Sequence, residues 1–473
     1  MTMAQILKHP TPRAMAGLLV SGELAPARQE GPSPEPPLVA PATIQQEAIW
    51  FLEQLLPDNY AYNSLVLITL CGPLDTARLE AATHQLVRRH ELLHSTFMTV
   101  DGQLVLRATA PPPPVPLVTV DMNGASTADV VRHARQLSWQ PFTIDHPPLI
   151  RWVLLRRAPH QHVVAQIEHH FVHDGWSMWL LLTGLSELYR TGDRHQRLTD
   201  AGAYRRFAIE QRRWLSREQA ARDLTDWVKF LGPYVPLTIP EADRRPRQFT
   251  FRGDTVHVRL DPDVSSAVRS LAKTCGATPF TIMLAAFCAL ISVQMMGQPF
   301  AVGTMLRNRP PGLELVVGMF VNTVALPVPP VGAWSFRHLV DHISGCLSWA
   351  VERDGTPFPL VVSALDPPRN ESVNPIFHTC FSMNDWPNTQ LDFGPDLTAS
   401  VDYPSTGGAK FDLDVVVIPD GEGWLLLWRF YEALFDASDV RERAAWFSRL
   451  LLAAAESPAR TVSSLAEEVG RYE

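Results

Sequence analysis

Charge is scarce in this 473-residue chain. Asp, Glu, Lys and Arg supply 19% of it and sum to −8 at neutral pH, with a pI near 6.1. That balance offers no basic field to attract nucleic acid. Cysteine is scarcer: five residues, Cys71, Cys275, Cys288, Cys346 and Cys380, with no CxxC pair. The spacing supports neither a disulfide framework nor a thiolate zinc site, and it fits a reducing, cytoplasmic setting. No short-period repeat is visible. The start, MTMAQILKHPTPRAMAGLL, lacks the unbroken apolar core of a signal peptide, because Lys8, His9 and two prolines interrupt it. One nearly uncharged run, ATPFTIMLAAFCALISVQMMGQ from Ala277, approaches bilayer length. Thr281, Ser292 and Gln294 within it favour a buried core helix, so no membrane partner is expected.

What is present points to a globular protein of two parts. Apolar residues reach 46%, and the length exceeds one ordinary core. Many of the 41 prolines cluster at 32–41 and 111–116, as in linkers and surface loops. Residues 3–20 read as a short helix and 21–41 as a flexible linker, with folded sequence starting near Thr43. From there a helix (IQQEAIWFLEQLLP), a strand (YNSLVLITLCG), a helix capped at Asp75 or Thr76, two strands (LIRWVLLRRA, QHVVAQIEHH) and a helix (SMWLLLTGLSELYR) follow by periodicity. After about residue 250 a second α/β cycle begins and ends in a long helix, DASDVRERAAWFSRLLLAAAES. The organisation expected is an N-terminal segment over 1–41, one lobe over 42–225 and another over 226–473.

The chemistry concentrates in AQIEHHFVHDGWSMWLL, residues 165–181, at a strand's end just before a helix. His169, His170, His173 and Asp174 could in principle ligate metal. On a strand, however, His169 and His170 point to opposite faces, and no H-E-x-x-H is present, so no metal site is expected. A structural role is a strong rival, with Asp174 capping the helix near Trp176. Loops at strand ends also suit proton transfer by histidine at neutral pH. No G-x-S-x-G elbow and no evident cysteine nucleophile appear, which favours direct transfer between two bound substrates over a covalent enzyme intermediate. The residues alone indicate acyl or proton transfer.

HHFVHDG resembles the HHxxxDG motif of nonribosomal peptide synthetase condensation domains, and its company follows in chain order. TIQQEAIWFL resembles SxAQxRLWxL, with Ala48 in place of the arginine. RHELLHSTF resembles RHExLRTxF, with His94 in place of the arginine. YRRFAIE is a weak likeness of YxDYAxW. VGTMLRNRP is similar to VGTPxxxR, VGMFVNTVALPV to GxFVNTxxxR, TPFP to the PFE region, RNESVNPIF to RDxSRNPLF, and AKFDLDV to AKFDLxL. The resemblance spans 43 to about 467.

It implies an α/β fold of two chloramphenicol-acetyltransferase-like lobes in a V-shaped pseudo-dimer formed by a single, monomeric chain, with the active site in a tunnel between them. It also implies an acyltransferase that joins a carrier-bound acyl, peptidyl or polyketide thioester to an amine or hydroxyl. The partners implied are a donor carrier protein and either an acceptor carrier or a diffusible acceptor. No bound cofactor is implied; the carrier's phosphopantetheine arm enters as part of the substrate. By the match His170 is catalytic, Gly175 offers close approach and an N–H, His169 is structural, and Asp174 forms a structural ion pair with Arg307 as candidate partner. Trp176, Ser177, Asn322 and Ser382 are candidate substrate-binding residues. His173 falls at a variable position and reads as incidental. The first helix resembles the end of a carrier protein, and the C-terminus stops where such domains stop, so a free-standing, chain-releasing enzyme is one expectation and an excised amide-forming domain another. Two other readings are a CoA-dependent BAHD-like acyltransferase, echoed by DFGPD at Asp392, and a non-catalytic recruiting module; the surrounding motifs and the intact His170, Asp174 and Gly175 weigh against them.

Overall fold

A computed structural model describes residues 36–56, 59–110, 112–192, 202–232, 244–368, 370–386 and 390–470. The helix expected over 3–20 lies outside these residues. Folded structure begins slightly before Thr43: β1 (Val39–Pro41) pairs antiparallel with a later strand, so the end of the expected linker is an edge strand.

In the first half, α1 (Ile44–Leu55) starts at Thr43 with a capping box closed by Gln46. Strand β2 (Asn63–Cys71) leads to α2 (Thr76–Arg89), whose cap is Asp75. The hairpin β3 (Ser95–Val100) and β4 (Gln103–Ala108) turns at Asp101–Gly102, both at positive φ (49° and 79°), as a two-residue hairpin turn of this hand requires. Then come β5 (Val118–Asp121), α3 (Thr127–Ser138), β6 (Ile150–Ala158), β7 (Gln161–His169), α4 (Gly175–Thr191), α5 (Ala203–Leu215) and α6 (Glu218–Leu231).

The second half runs β8 (Gly253–Arg259), α7 (Pro262–Cys275), α8 (Pro279–Gln294), β9 (Phe300–Leu306), β10 (Asn322–Val328), α9 (Phe336–Val351), α10 (Phe358–Leu365), β11 (Thr379–Met383), β12 (Thr398–Asp402), β13 (Leu413–Asp420), β14 (Gly423–Tyr431), α11 (Ala437–Glu456) and α12 (Val462–Glu468). The apolar run from Ala277 is α8, capped by Thr278 and almost wholly buried in the core of this half. Among the described residues no single helix is long and apolar enough to cross a membrane; α7 and α8 qualify only as a pair bent by 103°.

Each half is built on a mixed sheet. The first sheet has the order β12-β2-β7-β6-β5 and the second β10-β9-β11-β13-β14-β8, beside a small sheet β1-β4-β3. The edge strand β12 comes from the second half yet pairs antiparallel with β2, from Thr398↔Cys71 to Asp402↔Leu67. A second segment crosses as well: Val316, Val317, Met319 and Phe320 pack into the core of the first half. At the junction, Trp386, Val416, Ile418 and Leu427 of the second half pack against Met178 and Trp179 of α4. Two α/β lobes therefore share one seam, and β7 ends at it.

Candidate active site

A cavity of about 80 Å³ opens at the seam. Its walls come from both lobes: Asn63 and Ser64 at the start of β2 and Met178 of α4 on one side, Asn384, Lys410 and Asp414 of the second lobe on the other. The histidines lie at this end of β7 because the strand stops there. His169 N–H still donates to Leu149 O and His170 N–H to Tyr62 O (both 3.0 Å), whereas Val172 N–H already turns back to His169 O (3.1 Å).

Alternation along the strand separates the two histidines as expected. His169 is buried, with Nε2 2.5 Å from Glu53 Oε1 and its ring stacked on Phe171. His170 is half-buried, and its Nδ1 lies 2.9 Å from the carbonyl oxygen of His173. A carbonyl can only accept, so Nδ1 carries the proton and Nε2 keeps a lone pair. Burial, then the charge of Lys410, holds the His170 pKa well below its ordinary value, so the ring is neutral at pH 7.

Asp174 is the cap of α4 and accepts from Ser177 N–H (2.8 Å). It also accepts from Phe320 N–H (3.0 Å) and from Arg309 Nη2 (3.0 and 3.3 Å). The ion-pair partner is thus Arg309 and not Arg307. Asn308, at φ 40°, turns the chain after β9, and Arg309 enters the seam with its side chain 2% exposed. Arg307 stays at the surface over the Trp176 ring, 3.8 Å from Asp385. With three donors sharing four hydrogen bonds to its two oxygens, Asp174 is fastened as a structural carboxylate.

The other expected site residues divide. Gly175 permits a close approach: an added Cβ would lie 2.3 Å from Asn384 Oδ1, and its carbonyl accepts from Trp386 Nε1 (2.9 Å). Ser177, expected at the substrate, is fully buried, and its hydroxyl exchanges hydrogen bonds with Gly318 O (2.8 Å) and N–H (3.0 Å). It clasps the crossing 313–320 segment and is not a binding group. Asn322 is likewise buried, donating to Thr356 O (2.7 Å) and Asp354 O (3.0 Å) and accepting from Phe358 N–H (3.1 Å), so it orders the 354–358 turn and does not line the cavity. Trp176 bonds Glu314 O (2.8 Å) and packs on Trp179. Ser382 is buried on β11, paired with the cavity-lining Val416.

Three features escaped the motif reading. Lys410, the one cation in AKFDLDV, reaches the cavity with Nζ 4.9 Å from the Tyr62 ring centroid, and burial, reinforced by Arg429, lowers its pKa to about 7. His173 is not incidental: its Nδ1 faces His169 O (3.1 Å) and Glu168 Oε2 (3.3 Å), and its Nε2 meets Ser64 Oγ (3.0 Å). Glu168 is buried, and burial raises its pKa to about 7. Among the described residues no group of three or more His, Cys, Asp or Glu side chains is arranged to hold a metal ion.

A family model described as "Condensation domain" matches residues 38–468. Malpinin synthetase of Mortierella alpina is 30% identical over 426 residues, 87% of this chain and 5% of that protein. Chondramide synthase cmdD of Chondromyces crocatus is 29% identical over 436 residues, 90% of this chain and 11% of that protein. The chain thus spans a small part of the length of these relatives. In fold it is similar to the first condensation domain of the calcium-dependent antibiotic synthetase, at a TM-score of 0.79 and 20% identity, over 90% of this chain and 98% of that one. The condensation domain from Monacolin K polyketide synthase MokA also superposes with a TM-score of 0.79, at 20% identity, over 90% and 99% of the two chains.

Proposed function

Because the chain belongs to the condensation-domain family, whose members are acyltransferases, we propose that it joins an acyl or peptidyl thioester, carried on a phosphopantetheine arm, to an amine or hydroxyl acceptor. The cavity between the lobes is where the two substrates meet. Attack of the acceptor on the thioester carbonyl forms the C–N or C–O bond and breaks the C–S bond. His170 Nε2 accepts the proton that the acceptor sheds and passes it to the departing thiolate, so that pantetheine leaves as the thiol and the ring returns to its neutral form.

The observation that carries this reading is the fixed tautomer of His170. Its proton is committed to His173 O, and its pKa is depressed, so the lone pair on Nε2 is present at neutral pH without a separate deprotonation. Asp174 and Arg309 keep the strand end and the first turn of α4 in register with the second lobe.

The test loads a carrier protein with an acyl thioester, adds candidate amines and alcohols, and follows transfer by intact-protein mass spectrometry. His170→Ala is expected to slow transfer by about 10²- to 10⁴-fold, the range of a positioned general base. Undiminished transfer by this variant would remove His170 from the reaction.

A further inference from the structure

Ser64, His173 and Glu168 stand outside the HHxxxDG chemistry, yet they are brought together at the cavity. Ser64 and Glu168 are cross-strand partners on β2 and β7, so their side chains share one face of the sheet. His173, in the turn after β7, folds back over that pair. The carbonyl of His169 can only accept, so His173 carries its proton on Nδ1, and Nε2 is left to accept from the Ser64 hydroxyl at 3.0 Å. Glu168 Oε2 sits 3.3 Å from the same Nδ1, without any hydrogen bond of its own. Its other oxygen accepts from Gln166, which in turn accepts from Trp152 Nε1 at 2.7 Å. A buried carboxyl with one oxygen left open is costly. Ser64, by contrast, is half-buried and lines the cavity. A hydroxyl on a histidine, with that histidine faced by a carboxyl, is the arrangement that activates a serine nucleophile.

We propose that Ser64, His173 and Glu168 form a second reactive site, at which acyl thioesters in the cavity are hydrolysed through an acyl-Ser64 ester. The substrate is the thioester of the function proposed above, and to that extent the inference rests on it. In the first half-reaction Ser64 Oγ bonds to the carbonyl carbon while its proton passes to His173 Nε2. The C–S bond then breaks, and His173 returns that proton to the departing thiolate. In the second, water attacks the serine ester as His173 takes one of its protons, the C–Oγ bond breaks, and the proton goes back to Ser64 Oγ as the carboxylic acid leaves. Lys410, on the facing wall of the cavity, turns positive charge toward the oxyanion of both steps. The outcome is discharge of acyl groups that find no acceptor.

The experiment needs neither carrier nor acceptor. The full chain is treated with an alkyl fluorophosphonate, which bonds an activated serine through phosphorus as fluoride leaves, and the adduct is mapped by mass spectrometry. One phosphonyl group on Ser64 is expected, absent in Ser64→Ala and formed about 100-fold or more slowly in His173→Gln, as loss of a general base requires. Glu168→Gln, which keeps the shape, is expected to slow labelling too. In parallel, octanoyl-pantetheine should release thiol with wild type and not with Ser64→Ala. Melting temperatures identify variants that keep the fold. No adduct, an adduct elsewhere, or labelling indifferent to both His173→Gln and Glu168→Gln in folded protein would overturn the proposal. Failure of His170→Ala to affect acceptor transfer is a separate result and bears only on the proposed function.

Discussion

Removing Arg309 would leave the Asp174 carboxylate buried with only backbone donors, since the guanidinium supplies its sole cationic partner among the described residues. Breaking such a pair by deleting one member costs about 3–5 kcal/mol. Arg307→Ala removes an exposed contact at 3.8 Å and should cost about 1 kcal/mol or less. Urea unfolding of the two variants checks the assignment; equal losses would contradict it. The sequence already held the answer, because in VGTMLRNRP the arginine of VGTPxxxR falls on Arg309. Ser64 and Glu168 had no comparable signal. Each is an ordinary residue within a strand pattern, and only the register of β2 against β7, with the turn carrying His173 above them, makes a constellation.

Between elements, α4 approaches the 384–386 segment closely at Gly175. Gly175→Ala drives a methyl group into the Asn384 amide. Overpacking of this kind costs about 1–3 kcal/mol. In an Asn384→Ala background the cost should largely vanish, a coupling measurable by a double-mutant cycle. The elements themselves were legible where local pattern decides: β2, β6, β7, α2, α8 and α11 appear where their periodicity puts them. The hairpin β3–β4 was signalled by Asp101–Gly102 but hidden by its short arms. Helix α9 buries Leu339, Val340, Ile343 and Leu347 at helical spacing, a pattern open to reading. Strand β12, TASVD, is a different case. It is short, alternately exposed and weakly apolar, and what makes it a strand is the ladder to β2, more than three hundred residues earlier in the chain.

At the scale of the whole molecule, buried neutral histidines set the acid limit. Burial, chiefly, lowers His90 and His173 from 6.5 to about 3. Between those values the unfolded chain binds protons that the folded chain refuses, so their contribution is complete above about pH 6.5 and is lost as pH falls toward 3. Glu168 has the opposite sign: raised from 4.5 to about 7, it favours the fold below 4.5 and loses that contribution as pH rises through 7. Calorimetry from pH 7.5 to 4 should show a melting temperature that declines below about 6.5, and Glu168→Gln should steepen the decline. A flat profile would contradict neutral burial of these rings.

The five register pairs between β12 and β2 also govern how substrates can enter. A ladder spanning the seam acts as a hinge pin that resists shear along its length. The lobes cannot part like jaws unless β12 either peels from β2 or travels with the first lobe on its flanking loops. Access to the cavity is therefore expected by movement of side chains and loops, with the clamp between the lobes held shut.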